Sequence, residues 1–272
     1  MNTVLSIISY PFMMRALIVG ILVSLCAALL GVSLVLRRYS MIGDGLSHVG
    51  FGALAIAAAL NTAPLLVTIP VVVIAAFFIL RLTQSSKVKG DSLIAVISTA
   101  SLAIGVMIIS LTSGMNTDLN NYLFGSILST NNQDMIISII ISIVVLVLYI
   151  LFYNRIFSIT FDENFSKATG IKTNVYNMLT AVLTAITIVL GMRLMGSMLI
   201  SSLIIFPALT SMRLFKTFKS VTVSSAILSV FCFVLGLFIS YFYSTPTGAS
   251  IVLVNIIMLL LFTLIEKLKV SV

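Results

Sequence analysis

The chain has 272 residues, of which 60% are hydrophobic and only 8% charged, and its mean hydropathy is +1.26. A soluble domain carries about 25% charged residues, so this composition excludes a water-soluble fold and points to helices that pair their backbone groups internally in lipid. The net charge of +8 is no nucleic-acid signal, because the 15 basic residues lie in short clusters between apolar runs, as they do in cytosol-facing loops of membrane proteins.

The first apolar run spans 12–36 and opens beside Arg15. No cleavable leader pattern is expected ahead of it, since a run of about 20 residues is long enough to span. A shorter run, 44–60, contains Gly and Ser, and full-length runs follow at 65–82 and 92–113. The stretch 116–133 is too polar to cross and is expected to be a loop. Runs at 134–153 and 175–192 come next, then a short one with Gly, Ser and Pro at 195–212, and finally 221–243 and 250–266. Trp is absent, which leaves Tyr to form the interfacial aromatic belt. Cys26 and Cys232 fall inside apolar runs and are read as small buried residues without a disulfide.

Charge tests this count. With the N-terminus outside, the inner segments 37–38, 81–89, 155–172, 213–219 and 267–269 hold 13 of the 15 basic residues. The outer loops 61–64, 114–133 and 244–249 hold none, and only Arg15 and Arg193 fall near the outer side. This asymmetry favours nine crossings and a cytoplasmic C-terminus. Merging 175–212 into one broken crossing gives eight, but it puts Lys216 and Lys219 outside. The expected architecture is all-α: a polytopic transmembrane helical bundle of about nine helices, forming a single membrane domain over 1–272.

The stretch 41–48 reads MIGDGLSH, and His48 is the only histidine. On a helix Asp44 and His48 are i and i+4, with Cβ atoms about 6 Å apart. An imidazole nitrogen and a carboxylate oxygen so spaced can reach one divalent cation. The competing reading makes Asp44 a helix N-cap and His48 an interfacial residue. An ionisable pair on a membrane helix is nevertheless a functional-site hypothesis by default. Gly43, Gly45, Gly50 and Gly52 flank the pair and permit close helix packing, while Ser47 points about 100° away from His48.

The stretch 161–171, FDENFSKATGI, has Asp162 as a candidate N-cap, Phe161, Phe165 and Ala168 at roughly helical spacing, and Gly170 as a C′ stop. Such a helix either docks into a groove on a soluble partner or lies on the membrane surface. In 191–213 small and hydroxyl residues recur around Pro207, which suits a tightly packed inner helix with hydroxyls compensating the missing donor. Methionines in that stretch read as packing rather than copper ligands. No phosphate-binding loop, HExxH or GxSxG is present.

Several stretches together resemble the permease subunits of ABC importers for zinc, manganese and iron ions. They are LRRYSMIGDGLSH at 36–48, GDSLI at 90–94, Asp118 with YLFG at 122–125, Phe161 and Asp162 with Ala168 and Gly170, 201–213 around Pro207, and TPTGA at 245–249. Their order and spacing carry the match over nearly the whole chain. Two departures are Gly45, where the family often has Ala or Thr, and FPALTS at 206–211, where it commonly reads IPAATA.

The resemblance implies a fold like that of cobalamin-type importers and a homodimer with the ion path on its axis. It also implies a separate cytoplasmic ATP-binding subunit, an extracellular or periplasmic metal-binding protein, and a bacterial inner (cell) membrane with its lipid as the setting. Residues 161–171 become the coupling helix, with Phe161, Asp162, Phe165, Ala168 and Gly170 meeting the ATPase. Asp44 and His48 become ion ligands, and Gly43, Gly45, Ser47 and Pro207 serve helix packing near the path. The chain is then a transporter subunit and not an enzyme. It holds no permanent cofactor, and its cargo is Zn²⁺ first, Mn²⁺ or Fe²⁺ otherwise. A proton-coupled secondary carrier is the rival, but such carriers usually show inverted repeats and none stands out here.

Overall fold

The structure is a computed structural model and describes residues 10–85, 90–112 and 132–270. The expected loop at 116–133, with Asp118 and 122–125, lies outside the described residues except for its last two, as do Lys87 and Lys89.

The first helix, α1, is Pro11–Leu36, with Pro11 at the position where a missing N–H costs nothing. It ends in a Schellman turn: the Tyr39 N–H donates to the Leu34 carbonyl at 2.8 Å and that of Arg38 to Val35 at 3.0 Å. The turn needs a left-handed residue, and Arg38 supplies it at φ 61°. Helix α2, Ile42–Ala59, follows after five residues and has only 18. Next come α3 (Pro64–Ser85), α4 (Gly90–Thr112) and α5 (Asn132–Leu151). Two short helices, α6 (Tyr153–Phe161) and α7 (Glu163–Ala168), lead to α8 (Thr173–Met195), α9 (Ser197–Leu214), α10 (Phe218–Tyr243) and α11 (Thr247–Val270).

Eight of these helices are long and apolar enough to cross a bilayer, and the pair Met135–Leu151 with Tyr153–Phe161, bent by 65°, adds a ninth if it is a single broken span. The nine expected runs fall on α1–α5 and α8–α11. The merged alternative for 175–212 does not hold. Gly196 adopts φ 89° between α8 and α9, and a methyl group at Gly191 would strike the side chain of Ile200. In one continuous helix those two residues would be about 13 Å apart, so the chain doubles back.

Helices α1, α2, α8 and α9 form the buried centre, while α3, α4 and α11 are largely open. The outer helices turn residues such as Leu66, Val96, Leu111 and Leu260 outward, each more than half exposed. That suits lipid or a second protein surface. Close approach at the centre relies on small residues, as expected where lipid removes the hydrophobic drive between helices. Helix α2 packs most extensively on α4. There, a methyl group at Gly52 would lie 2.8 Å from the Ser101 carbonyl oxygen.

Contacts fix which helix ends lie together. Val32, Ala208, Phe218 and Val221 form one cluster, Arg213 meets Glu266 at 3.3 Å, and Arg37 meets Glu163 at 2.7 Å. The described basic residues of the predicted inner segments therefore gather at one end of the bundle, with Arg15 and Arg193 at the other.

Candidate functional site

Helix α2 begins one turn before the expected position. The Ile42 N–H donates to the Tyr39 carbonyl and that of Gly45 to Met41, both at 3.0 Å, so Met41 is the N-cap. The N-cap reading of Asp44 is thus corrected: the residue lies inside the first turn. Its carboxylate still gains from the helix dipole there, and it is free to face its neighbour one turn on. His48 Nε2 lies 3.7 Å from Asp44 Oδ2. Metal–nitrogen and metal–oxygen bonds of about 2.0–2.2 Å, meeting between tetrahedral and trigonal angles, span roughly 3.3–3.7 Å, so one ion fits between these atoms.

The pair is not enclosed by the chain's own helices. The Asp44 side chain is 45% exposed and that of His48 21%. Nδ1 of His48 is buried with no hydrogen-bond partner, an arrangement that calls for an explanation. Among the described residues no group of three or more His, Cys, Asp or Glu could hold a metal. One copy therefore offers two ligands, half of what four-coordinate zinc uses.

The flanking residues act as packing. Ser47 is buried, and its hydroxyl donates to the Asp44 backbone carbonyl at 2.7 Å, away from the pair. Gly43 lies against Ile204 and Gly45 against Ile94, which brings α9 and α4 up to the first turn of α2. Pro207 is buried inside α9 without ending it, and the Ser201 and Ser202 hydroxyls bond back to the Ser197 and Leu199 carbonyls. Cys26 and Cys232 are buried free thiols.

At the basic end, α7 is a closed unit. Asp162 Oδ1 caps it by accepting from the Phe165 N–H at 2.8 Å. Gly170 ends it at φ 84°, with the Ile171 N–H on Ser166 and its own on Lys167. Phe161 and Phe165 are 62% and 64% exposed, and Ala168 is exposed too. The helical spacing expected for Phe161, Phe165 and Ala168 is broken: Phe161 is the last residue of α6, extended Asp162 separates it from α7, and its ring rests on Phe157 and Phe218. The helix thus presents an apolar outer face on a firm base.

Sequence reasoning missed the polar anchor beneath it. Arg37 Nη2 meets Glu163 Oε2 at 2.7 Å and Nη1 donates to Asn177 Oδ1 at 2.6 Å. Lys167 meets the other Glu163 oxygen at 2.9 Å. Burial pushes the Glu163 carboxyl up, but the Lys167 hydrogen bond, the Arg37 and Lys167 charges and Asn177 outweigh it, so it titrates below the usual carboxylate range. The partners lie 126 and 140 residues from Arg37, beyond any local pattern.

A family model described as the ABC 3 transport family matches residues 9–266. The membrane protein ZnuB of the high-affinity zinc uptake system of Haemophilus influenzae is 32% identical over 244 residues, covering 90% of this chain and 94% of that protein. The permease protein ScaB of the manganese import system of Streptococcus gordonii is 32% identical over 251 residues, covering 92% and 90%. Among solved structures, PsaBC from Streptococcus pneumoniae in complex with Fab superposes with a TM-score of 0.87 at 30% identity, covering 98% of this chain and 99% of that one.

Proposed function

Because the chain belongs to the ABC 3 transport family, we propose that it is the permease subunit of an ATP-driven importer for a divalent transition-metal ion. It is a multi-pass membrane protein with eight or nine crossings. Two copies work together, a separate cytoplasmic subunit hydrolyses ATP, and an extracellular metal-binding protein delivers the ion. The basic end faces the cytosol and the N-terminus lies outside, as the asymmetry of Lys and Arg favours.

One observation carries the reading: a carboxylate and an imidazole 3.7 Å apart on an open face of α2, with no third ligand among the described residues. A second copy facing the first would complete two oxygens and two nitrogens about a two-fold axis. Two carboxylates offset the charge of a dication that hydrocarbon would reject. Side chains that are part exposed hold the ion loosely enough for release. The exposed Phe165 and Ala168 of α7, with Phe161 at the end of α6, meet the ATPase, and Asp162 and Gly170 keep α7 in shape.

Zinc is the first choice, since one carboxylate and one imidazole per copy suffice for it, whereas manganese favours more oxygen ligands. The likeness to the manganese permease of S. gordonii keeps manganese as the second reading. The test is uptake of labelled zinc and manganese by cells or proteoliposomes holding the permease with its ATPase. ATP-dependent uptake that is lost in Asp44→Ala supports the reading. Uptake driven by a proton gradient without ATP, or unchanged in Asp44→Ala, overturns it.

A further inference from the structure

The coupling element and the ion ligands are held by the same short turn. Five residues, 37–41, join α1 to α2. The turn is stiff, because its backbone is bonded at Arg37, Arg38, Tyr39 and Ile42. Its first residue, Arg37, extends a side chain that is only 15% exposed. That guanidinium binds Glu163 in the first turn of α7 and Asn177 near the start of α8, and it stands 5.4 Å over the Tyr39 ring of its own turn. Asn177 is itself 5% exposed, so the anchor is largely buried. Helix α7 otherwise packs on α6 and α8. A narrow crevice lined by Leu34, Ile42, Leu46, Ile156 and Thr180 runs beside the Arg37 side chain, between α2, α6 and α8.

We propose that the Arg37–Glu163 bridge is the link that transmits motion of α7 to the α1–α2 turn and so sets the position of Asp44 and His48. Arg37 is a positioning residue, not an ion ligand. Charge-assisted bonds of 2.6–2.7 Å are short and directional, and the bridge is shielded from the solvent that weakens exposed pairs. The turn carries any displacement of Arg37 to Ile42 through bonded backbone, and Asp44 lies two residues into the helix that starts there. Lys167 binds Glu163 from within α7, at i+4, so it stiffens that helix without joining it to anything else. A two-state element biased from both ends is what coupling requires.

The inference rests on the ABC importer reading, and the experiment separates the two. The permease, its ATPase subunit and the metal-binding protein are reconstituted in proteoliposomes, and labelled zinc and manganese moved per ATP hydrolysed are measured for wild type, Arg37→Gln, Glu163→Gln, the double variant and Lys167→Gln. A wild type with no ATP-dependent uptake of either ion overturns the importer reading itself. Given a working wild type, the proposal expects Arg37→Gln and Glu163→Gln each to lower the ratio of transported metal to ATP at least tenfold. ATP hydrolysis and ATPase co-purification should stay within about twofold, the double variant should be no worse than either single, and Lys167→Gln should stay within twofold in every measure. Additive losses in the double variant, an unchanged ratio, or an equal loss in Lys167→Gln would overturn the link. So would loss of ATPase co-purification in parallel with uptake, since that is what misfolding of α7 produces.

Discussion

His48 presents its Nε2 to the Oδ2 of Asp44 at 3.7 Å, one helical turn apart on an open face of α2. The separation is too long for a strong hydrogen bond and suited to a shared ion. Asp44→Asn keeps the shape and one acceptor but removes the charge. Uptake of labelled zinc should fall at least tenfold, with the protein still in the membrane. His48→Ala should do the same, and uptake within twofold of wild type in either variant would remove that residue as a ligand.

Glycines around the pair differ in what they touch. At Gly52 an added methyl group meets backbone, the Ser101 carbonyl oxygen at 2.8 Å, and at Gly43 it meets only the Cδ1 tip of Ile204 at 3.2 Å. The tip of a side chain gives way more readily than a backbone. Gly52→Ala should therefore destabilise the α2–α4 contact by about 1–3 kcal/mol, and Gly43→Ala should cost clearly less, as thermal unfolding in detergent would record. Equal shifts would contradict this account of the α2–α4 contact.

The two ends of α7 make separate contributions. Asp162→Ala removes a cap worth about 0.5–2 kcal/mol. Gly170→Ala meets no neighbour within 4 Å, so its cost is purely conformational, about 1 kcal/mol for a left-handed residue. Amide exchange over 161–171 should quicken in both variants while exchange in α8 stays unchanged.

The pH response follows from Glu163. Its carboxyl titrates below the ordinary range, so the native state binds its proton less readily than the unfolded chain. The stabilisation is present above the unfolded value and is lost as pH falls through the lowered native value. The difference in thermal midpoint between wild type and Glu163→Gln should be constant near neutrality and shrink only on strong acidification. A difference that vanishes above pH 5 would contradict the charged bridge with Arg37 and Lys167.

Much of this was legible in the chain. The apolar runs located every helix long enough to cross, eight or nine in all, because hydrocarbon leaves a spanning segment few options. The i, i+4 spacing of Asp44 and His48 located the pair, and Asp162 and Gly170 located both ends of α7. The start of α2 was misjudged, since Met41 gives no capping signal and the helix is begun by the Tyr39 and Met41 carbonyls. The Arg37 anchor was invisible because its two partners are brought to it only by the packing of α1, α7 and α8.

The shortness of α2 has a consequence for the ion's journey. Its 18 residues measure about 27 Å, with Asp44 and His48 within about 9 Å of the start. The remaining eleven positions, 49–59, carry only apolar and glycine residues. On the proposed reading, a route along this helix would be lopsided, with a long unliganded approach and a short departure. With the basic end in the cytosol, a cation that reached the pair would have its steepest climb behind it. The pair would then act as an exit station whose grip sets the pace of discharge, leaving capture to whatever guards the far mouth.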